Sequence, residues 1–175
     1  MVQIFKLLEK KTTSEMLRFF LENPTVRIHA EKLINTLGMS RRSVIGCLKT
    51  LLESEVLTVE EIGRTRQYTL NRTNPLVKKL KAFYNIDKIM PLLKNLQNIN
   101  VEVYLYGSAA RGEDSEDSDI DLLIIGDKPA KNVIGKIGKM ENLKPVYFTY
   151  IEYSKLARTD KAFYERIEKD KIRLI

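Results

Sequence analysis

The chain of 175 residues carries a formal charge of +7, is 43% hydrophobic and contains one cysteine, Cys47. That apolar share is enough for a core and excludes a disordered chain, and a single cysteine excludes an intramolecular disulfide. No apolar run approaches the ~20 residues a membrane-spanning helix needs, and the charged start MVQIFKLLEKK is too short for a secretory leader, so a cytoplasmic protein without a membrane partner is expected.

In chain order, residues 13 to 22 read as an amphipathic helix with Met16, Leu17, Phe19 and Phe20 apolar, ended by Asn23-Pro24. Residues 26 to 28 have the composition of a short strand. Residues 30 to 37 form a second helix, and Gly38 suits the left-handed position after it. Ser40 is a natural N-cap for a third helix from Arg41 to about Glu53, with Val44, Leu48, Leu51 and Leu52 on its apolar face. VLTVEEIGRTRQYTLN then reads as two strands around a turn at Gly63 to Thr65.

Helix, helix, tight turn, helix, hairpin is the layout of a winged helix-turn-helix. The charges sort by element. Ser40 to Leu52 holds Arg41, Arg42 and Lys49 and no acid; Ile62 to Ile86 holds Arg64, Arg66, Arg72, Lys78, Lys79 and Lys81 and no acid. Such segments point to duplex DNA, with phosphate contacts giving affinity and the third helix reading base edges. Arg41, Arg42, Ser43, Lys49, Arg64 and Arg66 are the candidate DNA-binding residues. The competing use of this layout is protein contact, with the cations as solvated surface, and a homodimer stays open. Residues 26 to 75 also resemble the winged-helix domains of archaeal regulators, through LGMSRRSV, LLESEVLTVEEIGRTRQYTLN and NPLVKKL.

Asn74-Pro75 is a helix start, with Leu76 to Tyr84 a basic helix. Asp87 is expected to cap a further helix in which Leu92, Leu93 and Leu96 pack. A domain boundary is expected within residues 72 to 86: a first domain over 1–75, a helical linker over 76–98 and a second domain over 99–175.

VEVYLY, 101 to 106, reads as a strand. Gly107-Ser108 is a tight turn, with Ser108 expected to cap a very short helix that Gly112 ends. Amide groups at such a turn suit a phosphate. Six of the nine residues from Glu113 to Asp121 are acidic, and the last two, Asp119 and Asp121, border the apolar run of the next strand. Residues i and i+2 of a strand share a face about 6.5 Å apart, so both carboxylates can converge on a hard cation; without one they repel. Magnesium is the natural guest, taking oxygen ligands and bridging nucleotide phosphates.

Gly107-Ser108, ten residues, then Asp119-Ile120-Asp121-Leu122 resembles the signature of the polymerase-beta-type nucleotidyltransferase superfamily. GSAARGEDSEDSDIDLLI is especially similar to the minimal nucleotidyltransferases of bacteria and archaea, and fusion to a winged helix occurs in archaeal proteins. The resemblance implies an α+β chain: a winged helix-turn-helix followed by a small nucleotidyltransferase-fold α/β domain with a mixed sheet. It implies that Gly107 and Ser108 hold a nucleoside triphosphate, that Asp119 and Asp121 are catalytic and hold Mg2+, and that Arg111 lies near the phosphates. The family's third carboxylate is not matched. LKPVYFTYI, 143 to 151, contains no acid; the position falls at Lys144 or, in another register, Tyr147, and Glu141 and Glu152 only flank the strand. Two readings follow: an enzyme transferring a nucleotide to an acceptor hydroxyl, or a transcriptional regulator whose degenerate domain only binds or senses nucleotide.

Of the remaining residues, His29 reads as a cap or surface residue and Cys47 as a small core or interface residue. Residues 154 to 170 read as one charged amphipathic helix, and the final IRLI as an edge strand.

Overall fold

The computed structural model describes residues 4–96, 100–126 and 142–175. The chain divides after Lys78 into two compact units.

The first unit begins with helices α1 (Ile4–Glu9), α2 (Lys11–Glu22), α3 (Ala30–Leu37) and α4 (Arg41–Glu53). Met16, Leu17, Phe20 and Leu21 recur at helical spacing and are buried, so one stripe of α2 faces inward. Asn23 ends it, with both its backbone N–H and its side-chain amide donating to the Phe19 carbonyl. Gly38 takes the left-handed conformation after α3, φ 62°, where a Cβ would strain the backbone. Ser40 caps α4 by accepting from the Ser43 amide at 3.2 Å. The buried face of α4 is Val44, Cys47, Leu48 and Leu51, while Leu52 is only half-buried.

A hairpin follows, β1 (Leu57–Ile62) antiparallel to β2 (Thr65–Leu70). Its turn is Gly63-Arg64, one residue tighter than expected, because Thr65 already pairs with Ile62. The expected strand at residues 26–28 reduces to a single bridge, Ile28 to Tyr68, made by two hydrogen bonds. His29 does not cap α3 with its ring; its Nδ1 lies 2.9 Å from the Arg66 carbonyl, tying the helix start to β2.

α5 (Pro75–Ile89) starts at Asn74, whose side chain accepts from the Leu76 amide. Asp87 does not cap a new helix, as expected, but sits inside α5. The helix continues because Ile86 and Ile89 extend its apolar stripe into the second core. It tightens into a 3-10 turn over Met90–Leu96, where Pro91 lacks an N–H and disfavours helical backbone at the residue before it.

The second unit is built on a four-stranded mixed sheet of β3 (Val101–Tyr106), β4 (Ile120–Gly126), β5 (Leu143–Phe148) and β6 (Ile172–Arg173). The order is β5-β4-β3-β6; β4 is antiparallel to β3 and parallel to β5, and the C-terminal β6 pairs with β3 at the edge. The period of two divides its side chains between two cores. Val101, Val103, Leu105, Leu122 and Ile124 pack with Ile89, Leu93 and Leu96, from the stretch expected to be a linker. Tyr106, Leu123 and Ile125 pack on the other face with Leu156 and Ile167.

Those last two come from α7 (Tyr150–Thr159) and α8 (Lys161–Asp170), two helices where one was expected. Asp160 divides them: it ends the first and accepts from the Phe163 amide to cap the second. β5 also stops three residues short of the expected Ile151, because Thr149 and Glu152 form a reciprocal capping box at the start of α7.

Candidate functional site

β3 ends at Tyr106, and Asp121 is its partner on β4. Gly107 follows with φ 73°, and a Cβ there would stand 2.6 Å from Asp121 Oδ2. Only glycine gives both the left-handed backbone and the space for that carboxylate. α6 (Gly107–Arg111) is a single short turn, ended by Gly112 at φ 69°. Ser108 lies inside this helix rather than capping it; the capping position belongs to Tyr106, which makes no side-chain cap. The reason is that the chain turns into helix one residue early, at Gly107 itself.

Asp119 immediately precedes β4 and Asp121 is its second residue, so the two share a face at the start of the strand. In the parallel register Lys144 of β5 is the partner of Asp121. Paired residues of neighbouring strands share a face, and Lys144 Nζ stands 2.5 Å from Asp119 Oδ2. Tyr147 is on the opposite face, packed against the core that holds Leu105, Leu122 and Ile124, with its hydroxyl donating to the Gly126 carbonyl. Of the two registers open from sequence, the structure therefore puts Lys144 beside the acids and Tyr147 away from them. Glu152 is used in its capping box, and Glu141 lies outside the described residues.

The electrostatics agree with a crowded anionic site. Asp121 is held above the ordinary carboxylate range chiefly by burial; Arg166 opposes this, Asp119 adds to it and Lys144 opposes it. Lys144 is raised by its hydrogen bond to Asp119. Tyr106 is raised by burial and by Asp121. Arg166, on α8, is steadied over the Phe163 ring with its guanidinium carbon 4.9 Å from the centroid.

A model of the nucleotidyltransferase domain family matches residues 86–174, about half of the chain. The chain belongs to this family. No curated protein matches it.

Among the described residues, no three or more His, Cys, Asp or Glu side chains form a metal-holding group. Two carboxylates on one strand face fit magnesium, which binds nucleotides through one or two carboxylates while waters and phosphates complete its shell. Asp119 and Asp121 therefore fit the ion, with Lys144 already a cation at Asp119. Arg111 is engaged by Glu113 at 2.7 Å and by Asp170 at 2.5 Å, which raises its pKa further.

The acidic loop of the nucleotidyltransferase domain also holds a group that the sequence reading missed. Asp114 is 5% exposed and Lys81 5% exposed. Lys81 Nζ lies 2.8 Å from Asp114 Oδ2. Asn85 donates to Asp114 Oδ1 at 2.8 Å and to the Ala109 carbonyl at 3.0 Å, and accepts from Lys81 at 3.1 Å. Lys81, counted above with the DNA-facing cations, is thus buried and paired and cannot face DNA. The available signal was the spacing of Lys81 and Asn85 by one helical turn, which the charge count concealed.

In the first unit the candidate cations are exposed, but acids from adjoining elements, or from the end of the same helix, reach several of them. Glu31 pairs with Arg41 at 2.6 Å, Glu61 with Arg66 at 2.8 Å, and Glu53 with Lys49 at 3.8 Å. The Ser43 hydroxyl lies 2.9 Å from that of Ser40, within the cap of α4. Segments free of acid along the chain are not free of acid in space.

Proposed function

We propose that this chain is a DNA-binding protein whose nucleotidyltransferase domain binds magnesium and a nucleoside triphosphate and transfers the nucleotide slowly or not at all. The observation that carries the reading is the approach of Gly107 to the Asp121 carboxylate at the start of β4. It brings the turn suited to phosphate within reach of the acids suited to magnesium. Gly107 and Ser108 present the triphosphate with their backbone and hydroxyl groups, Asp119 and Asp121 hold the metal, and Arg111 lies at the end of the same short helix.

In the transfer this family supports, an acceptor hydroxyl oxygen bonds to the α-phosphorus as the bond to the pyrophosphate oxygen breaks, and the hydroxyl proton passes to solvent. When bound, the metal supplies charge stabilisation for the phosphoryl oxygens. The residues of this chain orient the triphosphate and hold its leaving group in line. At the position of the absent third carboxylate stands Lys144, a cation beside Asp119. It attracts a phosphate and repels a further metal, which favours holding a nucleotide over activating a hydroxyl.

We read the first unit as a winged helix on duplex DNA, with α4 toward the bases and the hairpin toward phosphate. Its support is the element order and the exposed Arg41, Arg42, Lys49, Arg64 and Arg66. The second reading, a regulator that senses nucleotide, rests on the same Lys144.

Calorimetry tests the site. Binding of ATP, CTP, GTP or UTP should require magnesium and vanish in Asp119→Asn/Asp121→Asn. Equal binding by the double variant overturns the assignment. Incubation with labelled nucleotides then distinguishes enzyme from sensor by label on protein or RNA.

A further inference from the structure

Asn85 stands where the two halves of the site meet. Its amide nitrogen donates both to the Ala109 carbonyl, one residue beyond Ser108, and to Asp114, five residues before Asp119. Its amide oxygen accepts from Lys81, which also pairs with Asp114. The Lys81 ammonium lies 5.3 Å from the Tyr84 ring centroid. Among the described residues no buried side-chain nitrogen or oxygen lacks a partner, so this network is satisfied.

A buried ion pair is poorly explained by stability alone. Its desolvation opposes its attraction, and well-packed apolar residues often serve as well. What apolar packing lacks is direction. Two hydrogen bonds and an ion pair from one turn of α5 reach the turn after β3 and the loop before β4, and a third hydrogen bond, Lys81 to Asn85, ties the two donors together within the helix.

We infer that Asn85, Lys81 and Asp114 form a positioning clamp that holds the Gly107–Arg111 turn and the loop leading to Asp119 at one spacing. The clamp presents Ser108 and the two aspartates together. It deepens the reading of the site as one for magnesium and nucleotide, and rests on it for its functional consequence. None of the three touches the nucleotide; they act through the backbone at Ala109 and through the loop.

The test uses the full chain with Lys81→Met/Asp114→Leu, which replaces the pair by apolar groups of similar size. Three properties are read: thermal unfolding, amide hydrogen exchange over residues 112–121, and calorimetric affinity for magnesium-ATP. A merely structural pair would shift the melting temperature and leave the other two alone. A positioning clamp leaves a folded variant whose loop exchanges faster by about tenfold or more. Its magnesium-ATP affinity falls by about 10–100-fold, the scale of losing groups that orient metal ligands. If the double variant does not fold, Asp114→Asn, which keeps an acceptor for Lys81, is read the same way with smaller shifts. Unchanged exchange over 112–121 in a folded variant overturns the clamp. A parent chain that binds no magnesium nucleotide overturns the function proposed above, and the exchange experiment still decides the clamp.

Discussion

Lys144 Nζ stands 2.5 Å from Asp119 Oδ2, across the parallel β4–β5 pair. A lysine thus faces the two acids, and on the proposed reading it stands where a third carboxylate would complete a metal site. The carboxylates gain a tethered cation, with which the proposed metal ion would have to compete.

Lys144→Met should therefore tighten magnesium binding several-fold, because a competing charge is removed from Asp119. Titration of the magnesium-nucleotide affinity in parent and variant checks this. Lys144→Asp should go further and raise the rate of nucleotide transfer, measured with labelled triphosphates. A transfer rate of about 1 per second or more in the parent chain would contradict the assignment of Lys144 as a weakness of the site.

Gly107→Ala should damage both backbone and site. The φ of 73° disfavours alanine, and the new Cβ would meet Asp121 Oδ2 at 2.6 Å. A loss of about 1–3 kcal/mol in unfolding free energy is expected from the strain. Magnesium-nucleotide binding should weaken as well, since the colliding atom is the proposed metal ligand. Denaturant titration and calorimetry on the same variant separate the two effects.

The pH dependence of stability follows from Asp121. Its folded-state pKa is raised, first by burial, so the folded chain holds the proton more tightly than the unfolded one. Stability then falls as pH rises from the ordinary aspartate value of 3.8 through the raised value. Asp121→Asn removes the ionisation, so the variant should be more stable than the parent at neutral pH without metal. The difference should disappear below pH 3.8. Denaturant curves across pH check the sign; a variant less stable than the parent at neutral pH would reverse it.

Lys81→Met alone should cost about 3–5 kcal/mol, because Asp114 is left as an uncompensated buried charge. The double Lys81→Met/Asp114→Leu should recover most of that loss. Unfolding curves of the parent, Lys81→Met, Asp114→Leu and the double variant form the cycle that separates the pair from its parts.

DNA binding by the first unit should fall in Arg41→Ala/Arg42→Ala and in Arg64→Ala/Arg66→Ala. The salt dependence should become shallower by roughly one for each phosphate that is no longer neutralised. Titrations at several salt concentrations check it, and unchanged affinity in both double variants removes the DNA reading.

The features legible in the chain order are those whose demands are local. Gly107 answers to one backbone angle, Asp119 and Asp121 to the period of one strand, and Ser40 and Asn74 to the first amides of their own helices. Asp87 and Asp160 were misread because either can be a cap or an ordinary helix residue, and packing of the neighbouring apolar stripe decides between them. The site's other half was settled only by tertiary structure. Lys144 rather than Tyr147 faces the acids because of the register of β5 against β4, which depends on which apolar residues each sheet face must bury. Lys81 left the surface cations to meet Asp114 because the two, 33 positions apart, are brought together only when α5 packs beside the loop. A charge in a sequence is read by default as solvated; whether it is buried and paired depends on contacts that no local pattern encodes.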